Sequence, residues 1–504
     1  MADIRLVDVS IRDGNQSLWS ATGLSTRQIL QIAPVINRVG FKALDFTSST
    51  HMAVAVRYFR EDPWERIRLM HAACPDTPLQ LITTGFRFIS WETVDSEFMR
   101  LVYRCLMRNG IGRFVLLDPM HDMDALLAAA RIVKEEGEAE TMAALTYTLS
   151  EVHDDAFYAG CAARIAQSPD IDRVYIKDPS GLLTPERARS LIPAVQNALN
   201  GMPLEIHSHC TIGLSQFNYM VAADLGIDIL HTAVGPLANG SSLPPAKETI
   251  ANLRALGHEV HINEWALRQM SDYFSALARA EGLPFGQPQQ YDASFLRHQV
   301  AGGVMTTTRR QLAELRLEHK FDAVMTEVER VRAELGSPIM VTPFPQIVCT
   351  QAFFNVTGAE RYKNVPDQLI RYVLGRFGRP TAPVDPEVLD RIMSLPRTRE
   401  IQSEPEMMTL AEARKQFPAS LSDEEFLLRA VMPAEQVDAM LAAGPSKRHY
   451  NPALRPVLKL LEGISRQAPA RELSIEKEGF RLCLRGSPQA SVPTPAGSLH
   501  GSSG

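Results

Sequence analysis

His207 and His209 flank a single serine in LEIHSHCTIG, residues 204–213. The stretch begins apolar, alternates and ends in a glycine, the pattern of a strand running into a turn. Residues i and i+2 of a strand share a face, so both imidazoles can reach one point. Imidazole is the commonest metal-binding side chain, and a point shared by two of them suits a cation. Two merely buried or hydrogen-bonded histidines are the plain alternative. Other chemistry-bearing residues stand at equivalent places. Asp13 follows the run IRLVDVS, Thr84 lies in LQLITTG, Asp118 in RFVLLDP, and Lys177 and Asp178 in RVYIKDPSG. Ionisable groups this dense are rare inside a structural core.

Lys177 is the unusual member of this set. An ammonium cannot ligate a cation and is repelled by one. The lysine therefore either pairs with a carboxylate, Asp178 or Asp118, or is chemically altered. Carbamylation by CO2 is one such alteration, and it turns the amine into an anionic oxygen ligand.

Between residue 4 and about 235 these groups sit on eight short apolar runs, each followed by turn residues and a helical pattern. FMRLVYRCLMRNG and DALLAAARIVKEEG are two of the intervening amphipathic stretches. Eight strand–helix units predict a (β/α)8 TIM barrel, in which the C-terminal strand ends face the catalytic mouth. No G-x-G-x-x-G follows the first strand, which argues against an open dinucleotide-binding sheet. Beyond about residue 240, INEWALRQMSDYFSALARAEG, RRQLAELRLEHKFDAVMTEVERVRAELG and PDQLIRYVLGRF read as helices without intervening strands. The expected organisation is an α/β barrel over 1–300 and a mainly helical C-terminal domain over 301–465. A short hairpin around Gly479 and a disordered Pro/Gly/Ser-rich tail follow over 466–504.

The net charge of −6 is spread along the chain, which gives no basis for a nucleic-acid partner. The six cysteines form no C-x-x-C pair, which fits a reducing compartment and no disulfide framework. No secretory signal opens the chain and no apolar run is long enough to span a bilayer. A cytoplasmic protein with no membrane span is expected.

VDVSIRDGNQSLW resembles the D-x-x-x-R-D-x-x-Q-S opening of the biotin-dependent carboxyltransferases. That family includes the carboxyltransferase domain of pyruvate carboxylase, the alpha subunit of oxaloacetate decarboxylase and the pyruvate-binding subunit of transcarboxylase. YFREDPWERIRLM, VYIKDPSGLLTPE, IHSHCTIG, HQVAGGVMT and VTPFPQIVCTQAFFNV follow in the family's order, over roughly residues 4–360. The resemblance implies a divalent metal (zinc, manganese or cobalt) held by Asp13, His207, His209 and carbamylated Lys177. It implies that Gln16 contacts substrate, that Arg12 adds positive charge near a developing enolate, and that Ser241 stands where a threonine relays the proton. It also implies a metal-dependent carboxyltransferase subunit that moves a carboxyl group between carboxybiotin and a 2-oxo acid, such as pyruvate or oxaloacetate, or a related carbonyl compound.

The chain departs from the family pattern in its pocket. Thr84 stands where an arginine grips the substrate carboxylate, and Arg87, three residues on, is the candidate replacement. Cys210 replaces an aspartate, Asn15 a histidine and Leu243 a glutamine. A changed carboxylic substrate is therefore expected. The sequence contains no A-M-K-M biotin-attachment motif, so biotin is expected in trans, on a carrier protein served by a biotin carboxylase subunit; a homo-oligomer is implied by the resemblance. Two alternatives stand beside this reading. One is a biotin-independent metal-dependent decarboxylase or lyase of the same barrel superfamily, against which Lys177 counts. The other is a non-catalytic scaffold subunit.

Overall fold

Each barrel strand forms where a short apolar run is bounded by turn residues, and several of the following helices begin at a polar cap. The structure, a computed structural model, describes residues 3–90, 92–300, 302–450, 472–477 and 480–485. The strands are β1 (Asp3–Asp8), β2 (Ala43–Ser48), β3 (Leu79–Thr84), β4 (Ile111–Leu117), β5 (Glu140–Thr146), β6 (Arg173–Asp178), β7 (Leu204–Ser208) and β8 (Ile229–Thr232). They pair in parallel in chain order, and β1 pairs with both β8 and β2, which closes an eight-stranded barrel. The eight predicted runs are these eight strands. A two-residue strand β9 (Glu259–Val260), not foreseen in the sequence, pairs with the start of β1.

The helices show why they start where they do. Asp95, Asp122, Asp154 and Thr184 each accept a backbone N–H of the first turn from the N-cap position, which satisfies donors the helix leaves open. The helix Ser96–Asn109 ends at Gly110, in the left-handed conformation that glycine tolerates. Its buried face (Phe98, Leu101, Val102, Cys105, Leu106) packs on the outside of the barrel, the apolar stripe that period 3.6 predicts.

Residues up to Tyr450 form one compact unit. Its helical part from Val300 to Ile401 has its own core, in which Val324, Val328, Phe344, Val348 and Ile370 meet Met120 from the loop after β4, whereas Phe426, Leu427 and Val437 further on pack into the barrel's core. One expected long helix is two. Arg316 takes a left-handed conformation, Leu317 N–H donates back to Leu312, and a new helix runs Phe321–Glu334. The sequence offers no glycine or proline at this break, so pattern alone did not reveal it. In a second unit, β10 (Glu472–Lys477) and β11 (Phe480–Arg485) pair antiparallel, with Lys477 opposite Phe480. The predicted tail lies outside the described residues. No described helix is long and apolar enough to cross a membrane, and Cys74, Cys105, Cys161, Cys210 and Cys349 are free thiols.

Candidate active site

β6 and β7 run side by side with Lys177 paired to His207 and Asp178 to Ser208. Alternation sends Lys177 and His207 into the barrel and Asp178 and Ser208 outward. Asp178 faces away from the mouth, accepts from Leu182 N–H, Leu183 N–H and the Ser208 hydroxyl, and so builds the loop after β6. Asp118 likewise accepts from Met120 N–H and Asp122 N–H. Neither pairs with Lys177. That role falls to Asp13, 3.3 Å from Lys177 Nζ, on the wide helical turn Ser10–Gly14 after β1.

Three ligating atoms converge on one point. Asp13 Oδ2 lies 3.2 Å from His207 Nε2 and 3.6 Å from His209 Nε2, and the two ring nitrogens are 3.2 Å apart. Ligands about 2.1 Å from a tetrahedral centre sit roughly 3.4 Å from one another, so one carboxylate and two imidazoles at these separations fit a divalent cation. Lys177 Nζ is 3.0 Å from His207 Nε2, at the edge of the same point. All four side chains are buried.

The protonation states suit ligation. Burial alone would raise the Asp13 carboxyl, but Arg12, Lys177 and His209 outweigh it and hold it well below the usual carboxylate range. Burial pushes the His207 imidazolium far down, and Lys177 adds to the effect, so the ring is neutral. Burial also lowers Lys177, with Asp13 opposing and Arg12 reinforcing. Arg12 is pinned between Asp45 (2.5 Å) and Asp13 (3.1 Å), and those carboxylates keep it charged despite burial.

Over this point opens a cavity of about 510 Å³. Its barrel wall includes Arg12, Gln16, Thr84, Arg87 and Ser241, and the helical part supplies Thr307, Gln311, Thr342 and Gln346. Arg87 donates to the Arg376 carbonyl at 2.8 Å and lies over the Phe377 ring, so the helical part holds it in place. Ser241 serves with its backbone: its carbonyl accepts from His209 Nδ1 at 2.7 Å, which leaves His209 Nε2 bare. Its hydroxyl donates to the Ser17 carbonyl at 2.9 Å. Gly181 of KDPSG has φ +66° and passes so close to His209 that a Cβ there would stand 2.5 Å from the His209 carbonyl oxygen. Glycine is required where the β6 loop braces a candidate ligand.

Several participants escaped the reading of the sequence. Asp45 in ALDFTSS holds Arg12, Thr342 lines the cavity, and Glu205 and His231 lie beneath His207. Glu205 shares the inward parity of His207 within LEIHSHC, a signal that was present; His231 and Asp45 are single polar residues in apolar runs.

Comparison with known proteins identifies relatives of the whole barrel and of the helical part. A conserved carboxylase domain matches residues 295–457. The matching pyruvate carboxylase subunit of Methanocaldococcus jannaschii is 33% identical over 391 residues, covering 77% of this chain and 68% of that one. The 2-oxoglutarate carboxylase large subunit of Hydrogenobacter thermophilus is 28% identical over 458 residues, 89% of this chain and 70% of that one. In fold, the carboxyl transferase domain of Rhizobium etli pyruvate carboxylase with pyruvate superposes with a TM-score of 0.78 at 22% identity, over 96% of this chain and 83% of that one. The chain belongs to the biotin-dependent carboxyltransferase family, the family its motifs resemble.

Proposed function

We propose that this chain is a carboxyltransferase subunit that moves a carboxyl group between carboxybiotin, carried on another polypeptide, and a 2-oxo acid or related carbonyl compound. The observation that carries this reading is the meeting of Asp13, His207, His209 and Lys177 beneath a polar cavity in a member of this family. Asp13, His207, His209 and carbamylated Lys177 would hold a zinc, manganese or cobalt ion, which when bound supplies Lewis-acid polarisation of the substrate carbonyl. The depressed Lys177 amine favours the neutral form that adds to CO2, releasing a proton as the carbamate forms.

Arg12 faces the cavity and adds positive charge where the substrate oxygen gains negative charge. Gln16 and Thr84 offer hydrogen bonds to substrate, and Arg87 receives its carboxylate. The separate biotin carrier, charged by a biotin carboxylase subunit, presents biotin to this cavity between the barrel (1–300) and the helical region (301–465). A homo-oligomer in the cytoplasm completes the proposal.

The proton between substrate carbon and biotin nitrogen travels on a cavity hydroxyl. Ser241 is the expected carrier. Thr342 is the rival, because the Ser241 proton is already given to Ser17 while the Thr342 hydroxyl shows no partner among the described residues. Ser241→Ala and Thr342→Ala, compared in steady-state kinetics, decide it. Loss of general acid–base transfer lowers kcat by about 10²–10⁴-fold with little change in KM, and the variant showing that loss marks the carrier.

The function itself is tested by CO2 release from a panel of 3-carboxylated carbonyl compounds, oxaloacetate first, with and without free biotin. Biotin-dependent release is expected. Release independent of biotin would move the chain to the decarboxylase or lyase reading, and silence across the panel would count against catalysis on this substrate class.

A further inference from the structure

β7 carries more into the barrel than its two histidines. Glu205, two residues deeper, has the same inward parity, and one of its oxygens accepts from both Arg113 and Arg173. The other oxygen lies 3.0 Å from His231 Nε2, on β8. His231 Nδ1 in turn lies 3.1 Å from His207 Nδ1. The Tyr175 ring stacks on His231 with centroids 5.2 Å apart and an interplanar angle of 24°. Glu205, His231 and His207 are each no more than 1% exposed, so bulk water does not compete for these contacts.

Each link allows one direction of donation. A carboxylate gripped by two guanidinium groups can only accept, so His231 donates from Nε2. A neutral imidazole that donates from one nitrogen accepts at the other, so His231 Nδ1 takes the proton of His207 Nδ1. His207 Nε2 is then left with its lone pair aimed at the point shared with Asp13 and His209. His209 reaches the same state by a shorter route, through the Ser241 carbonyl.

We infer that His231, oriented by Glu205, is a positioning residue that fixes the tautomer of His207 and thereby makes its Nε2 available as a ligand. The inference rests on the metal-centre reading proposed above. A carboxylate or carbonyl commonly orients a ligand histidine directly; here a second histidine stands between, and the polarity of Glu205 passes through it.

The test uses the full chain stripped of metal. His231→Phe keeps a ring against Tyr175 and removes both nitrogens. Zn2+ titration should show affinity falling about 10–100-fold, the usual cost of losing an orienting partner, while the thermal midpoint of the metal-free protein changes little. His231→Gln, whose amide both accepts and donates, should recover part of the affinity. Nitrogen-15 NMR of histidine-labelled, metal-free protein supplies a second readout. His207 should carry its proton on Nδ1 in the wild type and on Nε2, facing Asp13, in His231→Phe. Glu205→Gln should produce the same tautomer change, because the two arginines hold the amide oxygen and turn the NH2 toward His231. Unchanged Zn2+ affinity and an unchanged His207 tautomer in folded variants would overturn the inference. If wild type takes up no Zn2+, the metal-centre reading fails, and the NMR tautomers still decide this one.

Discussion

Lys177→Ala is expected to abolish carboxyl transfer and to leave the purified protein with little bound metal. The side chain is 4% exposed, with its nitrogen 3.0 Å from His207 Nε2 and 3.3 Å from Asp13 Oδ2. An ammonium there stands beside the point where the three ligating atoms meet. Two unit charges 4 Å apart interact by roughly 4 kcal/mol at an effective dielectric of 20, and a divalent ion doubles the repulsion. Lysine and cation therefore do not coexist unless the lysine gives up its charge. Burial and Arg12 already push it that way, and carbamylation completes the change by turning a competitor into a ligand. Alanine removes that ligand, so the fall in metal affinity should exceed the roughly 10–100-fold seen when only a supporting partner is lost. Metal analysis of the purified variant and oxaloacetate turnover check both halves. Full activity in Lys177→Ala would sink the carbamate assignment. Lost activity with full metal content would keep the lysine essential and remove it from the ligand set.

Arg12→Leu should cost about 3–5 kcal/mol of stability, the usual penalty for removing one partner of a buried ion pair. Arg12 Nη2 is 2.5 Å from Asp45, whose side chain is fully buried, and Nη1 is 3.1 Å from Asp13. Leucine fills much of the volume but leaves the Asp45 charge with no counter-ion in the barrel interior. Urea denaturation of metal-free protein reads the loss as a lower midpoint. Arg12→Lys keeps the charge without the planar fork and should recover only part of it. The double variant Arg12→Leu/Asp45→Leu should be more stable than Arg12→Leu alone, because the stranded charge is gone. A double variant no better than the single one would place the cost in packing. Turnover should fall in all three, since Arg12 also lines the cavity.

Much of the architecture was legible because it is written in local periods. Short apolar runs bounded by Gly, Asn, Asp and Pro mark strands, and the amphipathic stretches between them mark helices. His207 and His209 could be placed on one face because a strand repeats every two residues. The same rule, applied strictly, would have turned Asp178 away from Lys177. Adjacency in sequence made it look like a partner when alternation puts it on the other side. The break at Arg316 went unseen because nothing in its residue type announces a left-handed backbone; Leu312 and the surrounding core hold it there.

By itself, then, the amino-acid order determined eight strands in sequence, a mouth at their C-terminal ends, and the shared face of His207 and His209. Only closure of the barrel decided who meets whom. Asp13 and Lys177 are 164 residues apart, yet the ends of β1 and β6 bring them to one point. His231 reaches His207 because β8 docks beside β7, and Asp45 reaches Arg12 because β1 pairs with β2. Those meetings depend on strand register and stagger, which are set by the whole ring of strands together. Ser241 illustrates the difference: the motif pointed to its hydroxyl, and the folded chain orients His209 with its carbonyl. A period belongs to a segment, whereas a contact across the barrel belongs to all eight.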